Sequence, residues 1–204
     1  MTADLQRWDK RYASGDLPWD TGRHDGSLER IIARHSVQPC RVLELGCGTG
    51  SNAIWLAERG FEVSAVDVSP LAVARARSKA QHANVEVDFV ESDVFEGAFP
   101  PAAFGFVFDR GCFHSFPEPE ERDRFAQYVH DHLQPGGLWL SLIGSKDSPP
   151  REEGPPKLSA AEVLSHVEPL FEVVLLDAIH FDSDQRAPAA AWACLLRKRN
   201  LGAL

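Results

Sequence analysis

No stretch of this 204-residue sequence comes near the ~20 consecutive apolar residues that cross a bilayer, so no membrane-spanning helix is expected. The opening residues, MTADLQRWDKRY, lack the apolar core of a signal peptide, and the chain is expected to be cytoplasmic. Its four cysteines, Cys40, Cys47, Cys112 and Cys194, are scattered and form no CxxC pair. That argues against a disulfide framework and against a zinc site, and it suits a reducing compartment. A basic stripe is also missing. Lys and Arg number 21 against 30 Asp and Glu, a net charge of −9, and the terminal RKR is the visible basic cluster. Nucleic acid is therefore not the expected partner, and a small molecule is. The histidines show no metal-ligand spacing: His130 and His132 stand two apart on a predicted helix, hence on different faces. Internal repeats and low-complexity segments are absent as well.

What is present is an alternation. From Arg41 onward, short apolar runs take turns with helical stretches, which predicts a doubly wound, Rossmann-like α/β sheet. The predicted strands are Arg41–Gly46, Glu62–Asp67, Val85–Glu91, Phe104–Asp109, Leu138–Ile143, Phe171–Ile179 and Ala191–Arg197. The last two follow one another with only Asp182-Ser183-Asp184-Gln185 near the turn, so they pair as a hairpin. The expected sheet has seven strands, mostly parallel, with an antiparallel last strand. Ser69-Pro70 predicts a helix start, Pro119 another, and Ser159-Ala160-Ala161-Glu162 a capping box. Residues 1–40 form an N-terminal arm with the first helices, ahead of one domain over 41–204. The loop KDSPPREEGPP, within Gly144–Pro156, reads equally as functional or as unstructured.

The sharpest signal is VLELGCGTGS at Val42–Ser51, an apolar strand, a glycine turn and a helix start. Gly46, Gly48 and Gly50 allow a tight turn and close approach of a ligand to backbone. A dinucleotide fingerprint would need its third glycine at position 51, which is Ser51. The pattern is instead ExGxGxG, with Glu44 two residues before Gly46. A carboxylate there repels a pyrophosphate and suits an ammonium-bearing ligand without phosphate, such as the methionine part of S-adenosylmethionine. Asp67 ends the second strand, where it can accept both hydroxyls of a ribose. Asp93 and the Val94 amide follow the third strand, placed for an adenine edge. Asp109 ends the fourth. For Asp93 and Asp109 a turn or cap role reads equally well.

On these residues the chain resembles the class I S-adenosylmethionine-dependent methyltransferases, from Arg41 to about Arg199. Glu44–Gly50, Asp67, Asp93 and the LQPGG before a strand match that family's cofactor motifs. A narrower likeness covers Trp8–Gly22, WDKRYASGDLPWDTG, and Gly154–Pro156, which look like the thiol, halide and thiopurine methyltransferases. GCGTGSNAIWLA and AWACLLRKR look more like the tellurite-resistance methyltransferases. The resemblance implies S-adenosylmethionine as cofactor, Trp8, Tyr12 and Trp19 over it, and Arg110 as a further contact. It departs in Tyr12, where plant members have tryptophan, and in LELGCG, which replaces their VPGCG.

Tryptophan also suits a sulfonium on physical grounds, because ring quadrupoles attract cations; the alternative is that both indoles only anchor the arm. Methyl transfer from a sulfonium needs alignment and water exclusion more than it needs acid or base. A thiol, with a free pKa near ~8.5, ionises with modest help, and a halide needs none. His114, in FDRGCFHSF, is the candidate base, and a histidine that merely hydrogen-bonds in its loop is the equal alternative. The expected function is methyl transfer to a thiol or a related chalcogen or halide. The alternatives are O- or N-methylation of a larger metabolite, and a binding module without catalysis.

Overall fold

Apolar runs bounded by helix caps produce the architecture seen in a computed structural model, which describes residues 3–148, 157–184 and 186–200. The Gly154–Pro156 motif, most of the KDSPPREEGPP loop and Gln185 of the hairpin turn lie outside the described residues. In chain order the elements are α1 (Ala3–Ser14), α2 (Gly26–Arg34), β1 (Arg41–Leu45), α3 (Ser51–Ala57), β2 (Glu62–Asp67), α4 (Pro70–Ala83) and β3 (Asp88–Glu91). There follow β4 (Phe104–Arg110), α5 (Pro119–His132), β5 (Leu133–Gly144), α6 (Ala160–Val167), β6 (Phe171–His180) and β7 (Ala190–Lys198), with a 3-10 turn at Phe113–Ser115 between β4 and α5.

Local chemistry sets the helix starts. The Ser69 hydroxyl accepts from the Ala72 amide at 3.3 Å, and Pro70 supplies a preset φ at the first position of α4. Ser159 and Glu162 close a reciprocal capping box at the start of α6, with the Glu162 carboxylate accepting from the Ser159 amide at 2.7 Å. Each such cap contributes about 1 kcal/mol.

The strands form one seven-stranded mixed sheet in the order β3-β2-β1-β4-β5-β7-β6. The chain divides into two compact units: residues up to Ala98 together with Asp182–Arg186, and Phe99–Phe181 together with Ala187 onward. The arm belongs to the first unit because α1 packs on α4 there.

In the first unit β1 pairs parallel with β2, and β2 with β3. Val42, Leu43 and Leu45 of β1 and Ala65 and Val66 of β2 are wholly buried, as parallel strands covered on both faces require. Strand β3 begins at Asp88, three residues later than the apolar run suggests. The cause is the exit from α4. Asn84 turns to φ 54°, and the Val85 amide bonds back to the Ala80 carbonyl at 3.2 Å, so Val85 closes the helix instead of opening a strand.

In the second unit β4 pairs parallel with β5, and β7 lies antiparallel to both β5 and β6. The antiparallel last strand is thus internal, inserted between two strands that precede it in the sequence. Strand β5 starts early, at Leu133, opposite Phe104, and the ladder resumes at Phe106–Leu138. The Gln134-Pro135-Gly136-Gly137 run is a bulge within the strand. An aromatic core holds this unit. Phe113 meets Phe125 at 5.7 Å and Trp139 at 5.5 Å, and Trp139 meets Phe171 at 5.3 Å. Pairs of this kind add roughly 0.5–1.5 kcal/mol each beyond the area they bury.

Candidate active site

In the first unit the strands β1, β2 and β3 carry Glu44, the glycine loop, Asp67, Asp93 and Val94 at or near their carboxyl ends. After Leu45 the chain turns through Gly46, Gly48 and Gly50, all at positive φ, and the Cys47 amide ties the loop to the Val66 carbonyl at 2.9 Å. Gly50 is required by packing, since a Cβ there would lie 2.8 Å from Ala76 Cβ and 2.9 Å from the Phe89 ring. Gly48 is different: a Cβ would lie 3.0 Å from the Tyr12 hydroxyl. Tyr12 of the arm therefore sits directly over the glycine loop.

Asp67 is almost wholly buried. One carboxylate oxygen accepts from the Gly48 amide at 2.8 Å and the other from the Ser69 amide at 2.9 Å. Burial raises its pKa above the ordinary aspartate value, while these amides act the other way. Each oxygen keeps a second lone pair, so the carboxylate holds the loop and can still accept from a ribose. Asp93 accepts from the Phe95 amide at 2.9 Å and its carbonyl from Glu96 and Gly97, which is the turn geometry. Val94 beside it is buried.

Glu44 is buried on β1, and Asn52 in the first turn of α3 donates to it at 3.3 Å. The side-chain oxygen of Asn52 accepts from the Asp25 backbone N–H at 2.8 Å, and Asp25 caps α2 through the Ser27 amide. A second contact joins arm and loop: the Thr49 hydroxyl donates to Asp20 at 2.8 Å, and Lys79 donates to Thr49 at 2.6 Å. Asn52, Asp25, Asp20, Thr49 and Lys79 escaped the sequence reading. No local motif marks them, because their partners lie 27 to 30 residues away in three of these contacts.

The arm is docked by polar contacts to α4. The Ser69 hydroxyl donates to Asp9 at 2.5 Å, and Arg75 donates to the Tyr12 carbonyl at 2.9 Å. Trp8 and Trp19 are half-buried and meet edge-to-face at 5.6 Å, while Tyr12 and Trp19 meet at 6.4 Å. Tyr12 is buried, and burial together with the charge of Asp67 pushes its hydroxyl pKa upward. The three predicted aromatics thus form one cluster, with Tyr12 at its inner edge.

In the second unit the carboxyl ends of β4 and β5 meet the residue after β6. Asp109 is fully buried, its oxygens accepting from the Phe113 amide at 3.0 Å and from the Trp139 indole at 2.9 Å. Burial raises its pKa to about 6 against the pull of those bonds. Each oxygen thus holds a donor inside the core, the geometry of the turn or cap reading. Arg110, the last residue of β4, lies over the Phe181 ring at 4.9 Å. His114 is buried in the 3-10 turn, and its Nδ1 accepts from the Gly144 amide at 2.6 Å. Burial first and then the Arg110 charge lower its pKa to about 4. A neutral ring whose basic nitrogen already holds a backbone N–H is poorly placed to take a proton. Cys112, in the turn between β4 and the 3-10 turn, is half-buried.

Among the described residues no group of three or more His, Cys, Asp or Glu side chains is placed to hold a metal ion, and no helix is long and apolar enough to cross a membrane. The sequence profile of the thiopurine S-methyltransferase family matches residues 3–195, and the chain belongs to that family. It is 32% identical over 171 residues to a probable thiol methyltransferase 2 of Arabidopsis thaliana, covering 82% of this chain and 74% of the relative. It is 31% identical over 150 residues to a 2-heptyl-1-hydroxyquinolin-4(1H)-one methyltransferase of Mycobacteroides abscessus, covering 72% of this chain and 64% of the relative. The fold matches, at a TM-score of 0.79 and 23% identity, a 1,6-didemethyltoxoflavin-N1-methyltransferase of Burkholderia thailandensis solved with 1,6-didemethyltoxoflavin and S-adenosylhomocysteine. That alignment covers 97% of this chain and 89% of the other.

The protein is an S-adenosylmethionine-dependent methyltransferase of small molecules. The residues fit such a cofactor. A glycine at position 48, where a Cβ would crowd Tyr12, buried carboxylates at Glu44 and Asp67, and an aromatic cluster beside the loop are groups of the kinds that suit an ammonium, a ribose and a sulfonium.

Proposed function

We propose that this methyltransferase acts on a thiol or a related chalcogen or halide nucleophile. One observation carries the choice of acceptor. The two titratable side chains predicted at the carboxyl end of β4, Asp109 and His114, are both spent on internal hydrogen bonds, so an acceptor that ionises without a firm base is favoured. Thiols and halides meet that requirement, whereas an alcohol or amine of a larger metabolite does not. The name of the Arabidopsis thaliana relative supports the same class.

In this reading Glu44 receives the cofactor's ammonium, held by Asn52, and Asp67 receives the ribose hydroxyls while bracing the loop. Asp93 and the Val94 amide address the adenine edge. Trp8, Tyr12 and Trp19 cover the sulfonium and exclude water. The bound cofactor supplies an electrophilic methyl group on a sulfonium. The residues of the chain bind, align and desolvate. Four free cysteines support a reducing, cytoplasmic setting.

The test is an acceptor screen with labelled S-adenosylmethionine against aryl and alkyl thiols, sulfide, selenite, tellurite, halides, thiocyanate and N-hydroxyquinolones. Methylation of thiols or of the simple anions is the expected result. Exclusive methylation of the hydroxyquinolones would shift the acceptor to an acidic N-hydroxyl.

A further inference from the structure

The tautomer of His114 follows from its partner. A backbone N–H can only donate, so Nδ1, which receives the Gly144 amide at 2.6 Å, carries no proton, and the ring's one hydrogen sits on Nε2. Two glycines flank that second nitrogen: a Cβ at Gly111 would stand 3.6 Å from Nε2, and one at Gly144 3.7 Å. The ring also meets Phe181 edge-on at 6.1 Å, and Phe181 carries the Arg110 guanidinium on its face. His114, Arg110, Gly144 and Phe181 lie at the carboxyl ends of β4, β5 and β6, the end of an open α/β sheet at which ligands bind.

We propose that His114 acts as a neutral hydrogen-bond donor, through Nε2–H, to the nucleophilic atom of an acceptor that binds already ionised. This deepens the acceptor assignment above and rests on it. The acceptor's lone pair forms the new bond to carbon while the pair of the breaking carbon–sulfur bond returns to the donor sulfur. The acceptor's negative charge and the sulfonium's positive charge cancel, and no proton moves. A base at His114 would require Nδ1 to surrender the Gly144 amide. A donor at His114 requires nothing to change. The charged group acting on the ring is the Arg110 guanidinium, and it disfavours an imidazolium while favouring an anionic acceptor. The other neighbours, Gly111 in the turn, Gly144 on β5 and Phe181 after β6, bring no titratable side chain.

Two measurements test this. Nitrogen-15 NMR of the imidazole in the full-length protein, without acceptor, is expected to show Nε2–H and an unprotonated Nδ1 across the neutral range; the opposite tautomer would overturn the proposal. The second is the pH profile of kcat/KM for a series of aryl thiols of graded acidity, with iodide or thiocyanate as a permanent anion. The midpoint should move with each thiol's own pKa, and the permanent anion should give a flat profile. His114→Gln, which keeps an N–H at similar reach, should retain most of the turnover, while His114→Leu should lose roughly 10- to 100-fold in kcat/KM with cofactor affinity unchanged. A midpoint fixed across all thiols and lost in His114→Gln would make His114 a base and overturn the donor role, leaving the thiol assignment intact. Should the wild-type protein bind cofactor yet methylate no thiol or anion, the acceptor assignment falls, and this inference with it.

Discussion

At the residue scale, Asp109 and His114 form an opposed pair of buried titrating groups. His114 has its folded pKa lowered from 6.5 to about 4 by burial, so as the pH falls the unfolded chain takes the proton first. Its contribution is fully present above pH 6.5 and is lost as the pH falls toward 4, a change of about 3 kcal/mol. Asp109 works in the other direction. Its folded pKa is raised from 3.8 to about 6, so the folded state protonates first and gains stability as the pH falls through the same window. The two slopes offset each other between roughly pH 6 and 4. Removing one should expose the other. Denaturant midpoints of His114→Gln, compared with wild type from pH 7 to 4, should shift in the variant's favour by up to about 3 kcal/mol on acidification, on top of a constant offset for the altered Gly144 contact. A pH-independent difference would place the His114 proton elsewhere. Neither role was legible in the sequence. The partners that decide them, Trp139 for Asp109 and Gly144 for His114, both lie 30 residues away on β5.

At the element scale, what the sequence made legible was whatever local chemistry decides. The run from β1 through the glycine turn into α3 stands where the ExGxGxG pattern puts it, and Ser69-Pro70 and Ser159–Glu162 start their helices. Strand β3 starts late because the exit of α4 claims Val85, and a C-terminal cap of that kind competes with a strand over the same residues. The arm is the element with a functional prediction. It is tied down by Asp9 and Tyr12 on α1 and by Asp20 on Thr49, so its position reports on the glycine loop. With S-adenosylhomocysteine bound, limited proteolysis within the first forty residues should slow markedly. Trp19→Ala should cut kcat tenfold or more while costing under about 2 kcal/mol of stability, since the indole is only half-buried. Cleavage that ignores the ligand, together with a large stability loss, would mark the indoles as anchors.

At the scale of the whole molecule, the strand order has a consequence for how the chain is made. Strand β6 bonds only to β7 among the described strands, and β7 alone bridges it to β5. While the chain emerges from the ribosome, β6 therefore waits without a neighbour until Ala190–Lys198 follows it out. Until then the free edge of β5 stands open to any passing strand. A premature stop after Phe181 would subtract two strands from the sheet by deleting one. Such a product, expressed beside the full-length chain, should partition into the insoluble fraction and lose the near-ultraviolet dichroism of its tryptophans. Cellular proteolysis should then remove it far faster than it removes any point variant discussed above.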